Sequence, residues 1–159
     1  MKLKVVGISF CVLAFYAMIN SLGCSSNSLL ESKPGESKSH YFGQSCLQCH
    51  SGGNQSKIIF SVAGSMLDEQ RKKPNTNARV EIYTGVNSTG EKVLELHTDA
   101  LGNFYSTKQL DFSKGLDPTV HGTAGVKEPL KYMKLPLYIV NKGDCNACHD
   151  FVEEKLGID

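Results

Sequence analysis

Two pentads constrain this chain more than any other feature: Cys46-Leu47-Gln48-Cys49-His50 near its start and Cys145-Asn146-Ala147-Cys148-His149 near its end. Both have the spacing C-x-x-C-H. In a C-x-x-C turn the two sulfurs project to one side, far enough apart to meet two vinyl groups of one porphyrin, and the adjoining histidine is carried round to face the iron. One such pentad can arise by chance, but a second in the same chain makes chance untenable. The pair predicts two covalently attached haem c groups. Cys46 and Cys49 would hold the first, with His50 as proximal iron ligand; Cys145 and Cys148 would hold the second, with His149 on its iron.

Two other chemistries use the same cysteines. Four cysteines in two C-x-x-C pairs can form one zinc site, but that leaves both adjacent histidines unexplained, and the gap between the pairs is far longer than in a zinc ribbon. Redox disulfides of thioredoxin type would call for a βαβ context, which neither pair has.

The start of the chain reads as an address. Lys2 and Lys4 precede an almost unbroken apolar run from Val5 to Ile19, too short for a comfortable membrane span and suited to a secretory signal, so residues 1–23 are expected to be removed. The run ends in Ser21-Leu22-Gly23-Cys24, which resembles the lipobox of bacterial lipoproteins, with Ser21 and Leu22 in swapped order. The resemblance implies lipidation of Cys24 and a stable anchor that does not span the membrane. The expected location is the cell envelope, on the periplasmic face of a membrane or at the cell surface. Cys11 would leave with the leader. Residues 24–40, rich in serine, read as a flexible tether. Removing Lys2 and Lys4 from the 17 basic residues leaves 15 against 16 acidic ones, so no basic surface points to nucleic acid.

Residues 41–56 form the first haem segment and 141–159 the second, each on short helical structure. Ser45 is placed to cap a turn over Cys46–His50, and Asp144 to cap a longer helix through Leu156. Between them, residues 57–140 alternate like strands: Ile58 to Met66, Ala78 to Thr84, Lys92 to Thr98, and Asn103 to Tyr105, with a tight turn at Asp99-Ala100-Leu101-Gly102. The expected fold is mainly β: a small antiparallel β-sandwich flanked by short haem-binding helices.

The residues Val62-Ala63-Gly64-Ser65-Met66-Leu67-Asp68, Pro74, Ala78-Arg79-Val80 and Thr98-Asp99-Ala100-Leu101-Gly102-Asn103-Phe104 carry a resemblance to the carboxypeptidase regulatory-like domain, a transthyretin-like sandwich. It covers about Phe60 to Tyr105 and departs from the usual pattern at Met66 and Asn77. The fold it implies is a scaffold without chemistry of its own. The whole arrangement is similar to small multihaem cytochromes of anaerobic, metal-respiring bacteria. With the seven strands expected of such a sandwich, entry and exit lie at opposite poles, the two haems are separated, and head-to-tail self-association is open to the molecule; with an even strand count the haems are neighbours in a compact two-electron unit.

Candidates for the sixth iron ligand are His40, His97, His121, Met133 and Met66, the last reading better as core packing. The similar cytochromes often carry Tyr-Met where Tyr132-Met133 stands. The expected function is one-electron transfer with other redox proteins or cytochromes as partners, and no catalytic residue is assigned. The alternatives are a haem peroxidase or reductase, which would need an open distal position with acid–base residues beside it, and a haem-based sensor.

Overall fold

The computed structural model describes residues 28–53, 55–68, 72–122, 130–132, 137 and 143–149. The protein is mainly β. Six strands are seen among these residues: β1 Val62–Ser65, β2 Arg79–Gly85, β3 Thr89–His97, β4 Asn103–Ser106, β5 Asp117–His121 and β6 Leu130–Tyr132. They form two antiparallel sheets, a two-stranded one (β1-β4) and a four-stranded one ordered β3-β2-β5-β6. Two single-turn helices, α1 (Leu47–His50) and α2 (Cys145–Cys148), carry the pentads.

Alternation places Val80, Ile82, Leu94 and Leu96 on the inner face of the larger sheet, where all are buried. Phe104 and Met66, both fully buried, fill the same core from the smaller sheet's side, so Met66 is a packing residue. The expected turn at 99–102 is present. Asp99 Oδ1 accepts from the backbone N–H of Leu101 and of Asn103, and Gly102 takes φ +77°, a left-handed conformation open to glycine. A side chain there would also strike Pro74.

Three expectations are corrected. The first strand is shorter than the period-two reading of Ile58 to Met66. Ile58 and Ile59 stay outside it and are exposed, because Phe60 N–H and the Ile58 carbonyl are used by His50 rather than by a neighbouring strand. Next, part of the expected tether of residues 24–40 is fixed: residues 30–32 lie along the free edge of β4. The Ser32 N–H donates to the Tyr105 carbonyl, Thr107 N–H donates to the Leu30 carbonyl, and Glu31 bridges Ser106. The Ser32 hydroxyl donates to the His97 carbonyl and accepts from Tyr105 N–H. Backbone pairing, which composition does not report, holds this polar segment.

The third correction concerns the poles. The returning chain comes back beside the start of β1: Ala63 N–H donates to the Gly143 carbonyl, and Ala63 pairs in parallel with Asp144. Entry and exit share one end of the sandwich, and the two pentads are neighbours rather than opposite ends of a spacer.

Candidate functional site

The first pentad winds into one turn. Leu47 is buried against Ala63 and Tyr105, while Cys49 is exposed and Cys46 half-buried. The half-buried His50 is clamped by the segment that follows. Its Nδ1 lies 3.0 Å from the Ile58 carbonyl oxygen, and its own carbonyl accepts from Phe60 N–H. A carbonyl can only accept, so Nδ1 carries the proton and Nε2 the lone pair a metal needs. The Phe60 ring stacks on the imidazole at 4.4 Å and 20°, and Tyr105 stacks on Phe60 at 4.9 Å. Ordering of the ring thus precedes any ligand.

The second pentad sits on β1. Cys145 is buried, Cys148 exposed and His149 half-buried. The close seat depends on Gly64, where a Cβ would lie 2.8 Å from Cys145 Cβ and 2.6 Å from Phe104 Cζ. Gly143 turns the chain into α2 at φ +117°.

Side chains tie the two pentads together. Ser45 and Asp144, expected to cap their own helices, make no cap bond; Ser45 Oγ donates to Asp144 Oδ2 at 2.5 Å instead. Asn146 Nδ2 donates to the Gln44 carbonyl at 2.8 Å, and its Oδ1 accepts from Ser65 N–H. The residues just before Cys46 and around Cys145 are therefore bonded to each other across 99 and 102 positions of sequence. Nothing in the sequence pairs these four residues. The only signal was their position beside the cysteines.

The thiols are free. Burial pushes Cys46 up to about 11 and Cys145 up to about 12, with the Asp144 carboxylate adding to both. Thioredoxin-type chemistry needs the opposite shift. Among the described residues no three His, Cys, Asp or Glu side chains are grouped to hold a metal ion.

The first pentad fits a haem. A porphyrin needs open thiols, an axial nitrogen and apolar walls. Cys49 and His50 supply the first two, and Tyr41, Ile58 and Ile59 lie exposed nearby, Tyr41 at 70%. Ile59 and Ile58 flank the loop that holds His50. At the second pentad Cys148 is exposed and His149 half-buried, but Cys145 is enclosed by β1, so a haem thioether there would have to form before α2 docks.

The remaining candidates are dispersed. His121 ends β5 rather than lying in a loop, and it is buried. Its Nε2 is 2.7 Å from Glu81 Oε2 and its Nδ1 3.2 Å from an Arg79 nitrogen, so both ring nitrogens are engaged. His97 ends β3, half-exposed, with Nε2 3.5 Å from Glu95. Both flank Arg79 across the sheet. His40 lies beside the first pentad, its ring 6.0 Å from that of His50. Met133, the leader, Cys24 and the end of the expected C-terminal helix lie outside the described residues. No described helix is long and apolar enough to cross a membrane.

No protein-family model matches the chain, and no curated protein or solved structure is significantly similar to it.

Proposed function

We propose that this chain is an exported dihaem c-type cytochrome, with a carboxypeptidase regulatory-like sandwich as its scaffold, that carries electrons one at a time in the cell envelope. The observation that carries this reading is the pairing of two C-x-x-C-H turns, side by side and cross-bonded through Ser45–Asp144 and Asn146–Gln44. Haem c, when bound, supplies reversible one-electron chemistry of iron. The protein's part is to hold and orient. Cys46 and Cys49 would hold one haem and Cys145 and Cys148 the other, and His50 and His149 would supply nitrogen ligands to the irons. The Ile58 carbonyl keeps the His50 proton on Nδ1.

Two attachment turns bonded to each other favour a compact pair that exchanges electrons internally, in place of a head-to-tail chain. Cys24, lipidated, would keep the pair at a membrane surface, where the partners are other redox proteins. A carrier is preferred to a peroxidase, reductase or sensor because two attachment turns bonded to each other suit electron exchange within one molecule.

Intact mass and a pyridine haemochrome spectrum of protein matured in a competent host test the reading. Two haem additions are expected, one lost in Cys49→Ala and the other in Cys148→Ala. A parent protein of apo mass overturns it.

A further inference from the structure

We infer that His40 is the second axial ligand of the first iron, and that Asn103 positions it by pinning the strap of residues 39–43. The inference rests on haem attachment at the first pentad. Two imidazoles bound through one nitrogen each to opposite faces of an iron have ring centres roughly 6 Å apart, since each metal–nitrogen bond is about 2 Å and each centre lies about 1 Å beyond its nitrogen. The His40 and His50 rings are 6.0 Å apart and inclined at 43°. The His50 ring is already held by Ile58 and Phe60, with Nε2 available. His40 is exposed, so no packing role accounts for its place there.

The strap that carries His40 is built, not loose. Asn103, buried in β4, donates from Nδ2 to Ser39 Oγ at 2.8 Å and to the His40 carbonyl at 3.5 Å. Its Oδ1 accepts from Ser65 Oγ at 2.6 Å, and that oxygen in turn accepts from Gly43 N–H and from Asn146 Nδ2. Both ends of the strap are thus fastened to the sandwich, and through Asn146 to the second pentad. Tyr41, next to His40, sits at φ +50°, a strained region for a non-glycine residue, and its ring meets that of His40 edge-on at 4.8 Å. Strain kept beside an exposed histidine indicates that the strap's shape serves that histidine.

The other described candidates lie elsewhere, His121 bonded to Glu81 and Arg79, His97 at the end of β3 beside Glu95, and Met66 in the core. Ligation by His40 makes the first haem six-coordinate, which suits electron transfer and leaves no open position on that iron.

The test uses the full holoprotein. His40→Ala is expected to retain both haem masses and to convert one of its two haems from low-spin to high-spin in absorption and EPR. Millimolar imidazole is expected to restore the low-spin signal, and the midpoint potential of that haem to rise while the other holds. Ser39→Ala, which removes the strap's hydroxyl but leaves the histidine, should give a partial high-spin fraction also rescued by imidazole. An unchanged low-spin spectrum in His40→Ala overturns the assignment of His40. An unchanged spectrum in Ser39→Ala together with Asn103→Ala overturns the positioning role. A parent without haem overturns the proposed function instead.

Discussion

Gly64→Ala adds one methyl group where β1, Phe104 and α2 meet. The new carbon would lie 2.6 Å from Phe104 Cζ and 2.8 Å from Cys145 Cβ, against a normal carbon contact of about 3.5–4.0 Å. Phe104 is fully buried and has nowhere to go, so α2 must give. Overpacking of this kind costs about 1–3 kcal/mol, and a shortfall of about 1 Å on two sides places this case near the top of that range. The lower chain entropy of alanine returns about 0.5–1 kcal/mol. The net expectation is a loss of about 2 kcal/mol, or roughly 6–10 °C in Tm for a body between the sizes usually tabulated. Urea and thermal unfolding followed by circular dichroism measure it. Gly53→Ala, where nothing lies within 4 Å of the added carbon, is the control and should change stability by less than about 0.5 kcal/mol. Because α2 is what yields, Cys145 in the apo variant should also become more reactive to iodoacetamide. A Gly64→Ala protein as stable as the Gly53 control, with Cys145 still protected, would refute the seat described for the second pentad.

Alkylation of the folded apoprotein should proceed at Cys49 and Cys148 first, then at Cys46 and last at Cys145. The buried thiols are pushed up to about 11 and about 12, and peptide mapping over time reads the order. Ser32→Ala leaves the His97 carbonyl and the Tyr105 N–H without their hydroxyl partner and should cost about 1–3 kcal/mol in urea unfolding, whereas a freely moving tether would lose nothing. Burial would raise the Glu81 carboxyl, but hydrogen bonds from Lys92, Tyr83 and His121 outweigh it and hold the group at about 2, below its ordinary 4.5. Its stabilisation is therefore full above about pH 4.5 and is lost as pH falls towards 2; Glu81→Gln should flatten the acid limb of the stability curve in that window. Asp144→Ala should release Ser45 and make the two haem potentials more independent of each other, measured by spectroelectrochemistry.

Much of the architecture was legible in the residues. Alternation along Val80-Glu81-Ile82 and Leu94-Glu95-Leu96 announces strands with one buried face, and Asp99 with Gly102 announces the turn between β3 and β4, because period and turn chemistry are local properties. The proposed attachment residues rest on the same kind of signal: C-x-x-C-H is a local motif whose spacing points to its chemistry. What failed depended on partners outside the local alternation, some near in sequence and some far. Ile58 and Ile59 alternate like a strand but are drawn aside by His50. Residues 30–32 have the composition of a linker but find the open edge of β4. His121 looked available until Glu81 and Arg79 met it across the sheet.

The sequence by itself therefore determined the β class and the core alternation, and it supplies the six residues proposed to hold haem. Only the tertiary structure decided that the two pentads adjoin, that Ser45 and Asp144 bond each other rather than cap helices, and that the His40 ring comes within 6.0 Å of the His50 ring. The physical reason is that strand direction sets where a chain re-emerges, and direction is a sum over every turn and pairing. Ala63 meeting Gly143 and Asp144 is the end point of that sum, and no window of sequence contains it.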